Sequence, residues 1–162
     1  MPSHTSIAIV LSTFIAGVAH GDFKTWEPRP GNVFWSVAGN WSPTGAPQTG
    51  DVVAIVGPRI VFLDEDTASL SEMLLQGGAS LSTDGHTLSV LSTSCSESTM
   101  YGVGTILVVD PAPGYALEAD HMELYGDATL EMAGGLAYFT ENLDLDDATL
   151  RGRGGLSTDG WI

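Results

Sequence analysis

In the stretch "ENLDLDDATL" the acidic residues are spaced to act together, with Asp144 and Asp146 alternating with Leu143 and Leu145. In an extended strand alternate residues face the same side, so the two carboxylates share a solvent face while the leucines turn to the core. Carboxylates on neighbouring strands can bind Ca²⁺, which takes oxygen ligands in flexible geometry, and Asp144 and Asp146 would then be ligands. The repeat that builds calcium-binding β-rolls, GGxGxDxUx, is not matched: "GGLSTDGWI" agrees with it mainly at its Asp. The simpler reading is a solvated acidic face with Arg151 and Arg153 as neighbours. No cofactor is expected, Ca²⁺ being the one ion such a face would suit.

Carboxylates also do acid–base work. Hydrolysis of a polysaccharide needs two facing acids, and a lyase needs carboxylates for calcium plus a base. Asp120, Glu123, Asp144 and Asp146 could supply the acids, and His86 or His121 a base, although surface histidines are the simpler reading. Trp26, Trp35 and Trp41 could form a platform on which sugar rings stack, or could be buried as packing; exposed tryptophan clusters are costly unless used. Asn40-Trp41-Ser42 has the form of a glycosylation sequon, yet a turn with Asn40 bonded to backbone and Trp41 packed explains it as well. Cys95 is the sole cysteine. It forms no intramolecular disulfide, and no local sequence supplies the histidine that a thiol nucleophile needs. "YGVGTIL" and "RGRGG" neither follow a strand nor open a helix, so no nucleotide loop is read.

Charge and composition narrow the classes further. The chain has 162 residues, 5 Lys plus Arg against 20 Asp plus Glu, and a formal net charge of -15. Nucleic acid and anionic membrane surfaces would be repelled, because both need a basic face. Hydrophobic residues make up 43%, which suits a folded core rather than disorder. Residues 6–19, "SIAIVLSTFIAGVA", are uncharged, and Ala19 opens the small-residue stretch "AHG" at 19–21. That pattern predicts a signal peptide over residues 1–21 and a secreted or cell-surface mature chain. The run is shorter than the ~20 apolar residues of a membrane span, so the mature chain is not expected to insert.

Something must position these groups, and the chain beyond Asp51 supplies it in short apolar runs broken by Gly, Asp and Ser. "VVAIV", "IVFL", "TLSVL", "TILVV", "MELY" and "ATLEM" alternate apolar with polar or are β-branched, with no sustained helical period, so they read as strands. They also repeat. "LYGDATLEMAGGLAYF" superposes on "LDDATLRGRGGLSTDG" with Leu130 on Leu150 and Leu136 on Leu156, an offset of 20 residues, and with Leu124 on Leu145 at 21. Leu75, Ala79 and Leu81 take the places of Leu124, Ala128 and Leu130. Such a period predicts an all-β fold, a β-solenoid, with Leu124, Leu130, Leu145 and Leu150 stacked inward. "LSTDG" occurs at 81–85 and again at 156–160, as a strand end plus a corner whose Asp-Gly takes positive φ. An antiparallel sandwich is the competing architecture, since Asp-Gly also favours hairpins, but it does not account for the offset. Residues 22–50, rich in aromatics and prolines, read as an N-terminal cap over the first coil, and residues 51–162 as the coils.

The span "FWSVAGNWSPTGAPQTGDVVAIVGPRIVFLDEDTASLSEMLLQGGASLSTDGHTLSV" resembles the opening of secreted bacterial β-helix proteins: autotransporter passenger-like chains, those with autotransporter-associated β-strand repeats, and PEP-CTERM surface proteins. The matching elements are Asn40 to Ser42, Pro47, Gly50-Asp51 before an apolar strand, and the coil ending at Val90. The likeness is close over residues 33–91 and generic beyond. It implies a secreted or cell-surface right-handed parallel β-helix that is usually part of a longer chain, with no catalytic residues. The expectation is therefore a structural or adhesion module, a fragment of a longer solenoid, whose partners are other chains, the rest of that solenoid, or surface polysaccharide. A carbohydrate-active or carbohydrate-binding β-helix is the alternative.

Overall fold

The structure is a computed structural model that describes residues 21–91 and 99–160. Cys95 and most of the expected signal peptide lie outside the described residues. Short strands follow one another along the chain: β1 (Phe23–Trp26), β2 (Trp41–Ser42), β3 (Val52–Val56), β4 (Ile60–Phe62), β5 (Glu72–Gln76) and β6 (Ser80–Ser82). They continue as β7 (Leu88–Val90), β8 (Thr99–Val103), β9 (Ile106–Val109), β10 (Leu117–Tyr125), β11 (Thr129–Asp146) and β12 (Thr149–Thr158). Among the described residues helix is limited to one short 3₁₀ turn at Ala38–Asn40.

These strands wind into a parallel β-solenoid of about five turns. Its first face stacks β3, β5, β8, residues 121–125 of β10 and residues 142–146 of β11, all parallel. The second face stacks β4, β6, β9, the start of β11 and the start of β12. The third stacks β7 with residues 117–119, 137–139 and 156–158. Parallel stacking follows from the period. A chain that returns to the same face after each coil lays every strand beside its predecessor in the same direction, so the sandwich alternative does not apply.

Alternation then builds the core. Val53, Met73, Met100, Met122 and Leu143 are in register on the first face and all buried. Val61, Leu81, Leu107 and Leu130 form the equivalent buried ladder on the second. Gly102 takes a ladder position between Leu75 and Leu124, and a Cβ there would lie 2.5 Å from Leu124 Cδ2, so the leucine fills the space the glycine leaves.

The expected pairs Leu124 with Leu145 and Leu130 with Leu150 are in register. Their burial differs from expectation: Leu124 and Leu130 are fully buried, whereas Leu145 is 36% and Leu150 42% exposed. Both belong to the last described coil, and no described strand lies over them. The equivalence of Leu136 with Leu156 is off by one, because Leu136 pairs with Gly155 and Ala137 with Leu156. The ladder shifts register between Ala133 and Leu136, which turns Leu136 outward and Ala137 inward.

The corner between the first and second faces is made in each coil by residues of positive φ, including Gly57, Gly77, Gly104, Asp127 and Asp147. They bond along the stack, with Gly57 N donating to Gln76 O at 2.9 Å and Asp127 N to Asp147 O at 3.0 Å. The two "LSTDG" copies sit elsewhere, and at different corners. The first ends β6 on the second face and turns through Asp84 and Gly85 at φ 46 and 87. The second ends β12 on the third face, and neither Asp159 nor Gly160 has positive φ. Gly160 is required there because a Cβ would lie 1.7 Å from Glu141 O.

In the aromatic segment β1 pairs parallel with β3 and antiparallel with β2, placing residues 23–42 at the N-terminal end of the stack. Asp51 fastens it, its carboxylate accepting from Asp22 N at 2.7 Å and Gln48 N at 2.8 Å. Buried Lys24 donates to Pro43 O at 3.3 Å.

Candidate functional site

The outward positions of the first face carry the densest chemistry. Glu72, Thr99, His121 and Asn142 form one column, Tyr101, Glu123 and Asp144 the next, and Val103, Tyr125 and Asp146 a third. Alternation points all of them away from the core, and the solenoid repeat brings residues distant in sequence to strand spacing. His121 Nε2 lies 3.1 Å from Glu123 Oε1 and 3.3 Å from Asp144 Oδ2, so one imidazole bridges two carboxylates from adjacent coils. The imidazole is largely buried while Asp144 is open to solvent. The two contacts are of proximity and not of hydrogen bonding, since the enclosed Nε2 makes no hydrogen bond to either acid.

Two phenols complete the cluster. The Tyr125 hydroxyl donates to Glu123 Oε2. That bond, followed by burial and by the charges of Glu123, Tyr101 and Asp144, pushes the Tyr125 phenol from 10 up to about 12. Tyr101 is also raised, first by burial and then by the Glu123 carboxylate, with a hydrogen bond to Thr99 opposing. Burial alone raises Glu72, whose Oε2 is enclosed without a hydrogen-bond partner.

A measurable consequence attaches to Tyr125. Its phenol is protonated more firmly in the folded chain than in the unfolded one. The stabilisation is therefore complete below pH 10 and lost as pH rises from there through about 12. Glu123→Gln is expected to bring one tyrosine back toward an ordinary titration, read by tyrosinate absorbance, and to lessen the loss of stability in that alkaline window. An unchanged titration would show that the bond to Glu123 does not hold the proton.

Of the other residues singled out from sequence, Asp146 borders this cluster and the rest lie apart from it. Asp146 is exposed beside Tyr125 in the ladder. Asp120 sits at the register shift before His121 and accepts from Thr140 Oγ1 at 2.7 Å. His86 Nδ1 is 3.6 Å from Asp66. Arg151 pairs with Glu131 at 2.6 Å, not with Asp144 or Asp146. Among the described residues no three or more His, Cys, Asp or Glu side chains are disposed to hold a metal ion.

Trp26, Trp35 and Trp41 do not form a platform. All three are buried, with Trp41 meeting both others edge-on at centroid distances of 4.8 Å and donating Nε1 to Trp35 O at 2.8 Å. No ring face is open to a sugar. Asn40 is fully buried with Nδ2 donating to Phe34 O at 3.0 Å, so in the folded chain it presents no amide for a glycan.

Sequence reading missed Glu72, Tyr101 and Tyr125. A strict repeat register would have stacked Glu72 with His121, Tyr101 with Glu123 and Tyr125 with Asp146, but the step from Glu72 to Thr99 is longer than those on either side and hides the first two alignments. No helix among the described residues is long and apolar enough to cross a membrane. Comparison with protein-family models, curated proteins and solved structures finds no match to this chain.

Proposed function

We propose that this chain is a structural or adhesion module of a secreted or cell-surface protein, a rigid β-solenoid that displays an acidic outer surface and has no catalytic activity. The observation that carries this reading is the division of labour along the ladders. Inward positions of the inner coils are closed by stacked apolar side chains, while the charged residues face out and engage one another between coils. The likeness of residues 33–91 to bacterial surface β-helices and the uncharged N-terminal run support secretion. Its partners are other coils of a longer solenoid, other chains, or surface polysaccharide.

A second reading, a carbohydrate-active solenoid, is favoured by the convergence of Glu123, Asp144 and His121 on one face. Against it, both carboxylates engage a single imidazole instead of flanking an open gap, and the tryptophans are withdrawn from the surface. Incubation with a panel of neutral and acidic polysaccharides decides between the two, with reducing ends and unsaturated products followed over time. No turnover is expected. Turnover that disappears in Glu123→Gln would establish the second reading and overturn the first.

A further inference from the structure

We propose that the outer side of the second face is an interface on which a second copy of this chain packs, sheet against sheet, about a two-fold axis that runs along the strands. This rests on the reading of the module as a structural element and names one of its partners. Two columns of outward residues make that side. One runs Ile60, Ser80, Ile106, Thr129 and Thr149, and the other Phe34, Phe62, Ser82, Val108, Glu131 and Arg151. Coils stack along the solenoid axis, so a further coil of the same chain would lengthen this side and not cover it.

The face differs from the rest of the surface in charge and in relief. Before Glu131 neither column holds a charged residue, in a chain that carries 20 acids and a net charge of -15. Two copies therefore approach here with the least repulsion between the groups that meet. Phe34, Ile60 and Ile106 are each at least 40% exposed, and an apolar patch of that kind on a flat sheet marks a surface that pairs. Large and small side chains also alternate from coil to coil, Ile60 being followed by Ser80 and Ile106 by Thr129, which leaves ridges with hollows between them.

Relief and charge select the same orientation. A two-fold axis along the strands keeps strand direction and reverses the order of the coils. Set between Ser82 and Val108, it lays Ile106 over Ser80 of the partner subunit and Ile60 over Thr129 of the partner subunit, so that each ridge enters a hollow. An axis parallel to the solenoid would instead set Ile60 against Phe62 and Ser80 against Ser82, large on large and small on small. In the chosen orientation Phe34 meets Arg151 of the partner subunit, a cation on an aromatic ring, and Phe62 meets its ion-pair mate, Glu131 of the partner subunit. Exposed Arg59, beside Ile60, comes to Asp127 of the partner subunit, which precedes Thr129 by two residues, and the symmetry makes the contact twice. Neither Arg59 nor Asp127 has an ion-pair partner among the described residues. At the opposite edge Asp84 meets Asp110 of the partner subunit, a like-charge contact that favours association in salt.

Coils ~4.8 Å apart and strands of ~15 Å make this face small beside the ~800 Å² that a standard interface buries on each partner, so the dimer is a weak one, populated at high protein concentration or where many copies are displayed together. Sedimentation equilibrium of the chain up to millimolar protein, across a salt series, tests this. Association is expected to tighten from low to moderate salt, as the repulsion between two copies of -15 is screened while the Debye length falls from ~30 Å at 0.01 M to ~8 Å at 0.15 M. Ile106→Glu is expected to weaken it at least tenfold. Arg59→Asp and Asp127→Lys should each weaken it, and the two together in one chain should restore it, because the contact then has its signs exchanged at both ends of the axis. Melting curves establish that each variant is folded before its association is read. A chain that stays monomeric throughout overturns the interface, as does association indifferent to Ile106→Glu or not restored by the double exchange. A monomer that binds an insoluble neutral polysaccharide, and loses that binding in Ile106→Glu, also overturns it and makes the face a sugar surface. None of these results bears on polysaccharide turnover, so the failure of the interface and the failure of the structural reading are told apart.

Discussion

Leu130→Asp is expected to abolish most of the chain's stability, while Leu150→Asp, in the same ladder one coil later, leaves it nearly unchanged. Leu130 is fully buried between Leu107 and Leu150 on the second face. A carboxylate there either ionises without a partner in an apolar interior or is forced to stay protonated. Either outcome costs on the order of several kcal/mol, a large part of the ~5–15 kcal/mol that holds a domain together. Loss of packing alone, as in Leu130→Ala, costs about 2–5 kcal/mol, and the charge adds to it. Leu150 is 42% exposed, so its replacement moves a group already in contact with water and changes monomer stability by about 1 kcal/mol or less. Urea denaturation measures both. Equal losses in the two variants would mean that the last coil is covered, and a stable Leu130→Asp chain would mean that the ladder register is wrong.

Trp41→Ala is expected to be the most damaging change at the N-terminal end, lowering stability by about 3–5 kcal/mol. The indole is the centre of the aromatic cluster, meeting Trp26 and Trp35 edge-on at 4.8 Å each, and edge-on pairs add about 0.5–1.5 kcal/mol apiece to the area they bury. Its Nε1 also satisfies Trp35 O, which the alanine leaves enclosed without that donor. Hydrogen exchange should localise the damage: β1 and β3 lose protection before the ladders of β10 and β11, because each coil touches only its neighbours. If Trp41→Ala melted like the parent chain but lost binding to a polysaccharide, the indole would be a contact surface and its buried position here would be wrong.

The site divides along similar lines. That acids and a histidine on alternate positions share an outer face follows from strand periodicity. Hence Glu123, His121 and Asp144 could each be placed on the solvent side from sequence. Which acid reaches the imidazole could not, because it depends on a register that shifts by one between Ala119 and His121. That shift separates Asp120 from its sequence neighbours and gives it to Thr140.

The architecture is legible in residue order: β-strands in place of helices, coils near twenty residues, parallel stacking, and the ladders that join Leu75, Leu124 and Leu145 or Leu81, Leu130 and Leu150. These are local properties, since alternation chooses the face of each residue and the repeat chooses its vertical neighbour. Only in the folded chain is it settled which ladder members are covered, since burial belongs to the coil above as much as to the residue, and no described strand lies over Leu145 and Leu150. The fold also decided that the two copies of "LSTDG" turn different corners, one by positive φ at Asp84 and Gly85 and one by the close approach of Gly160 to Glu141. The same five residues end a strand in both places because an inward leucine, an outward serine and a small corner suit any face of a solenoid. Which face they serve is set by the count of residues accumulated along the coils, whereas a one-residue shift such as that between Ala133 and Leu136 exchanges inward and outward sides within a face, as it does for Leu136 and Ala137.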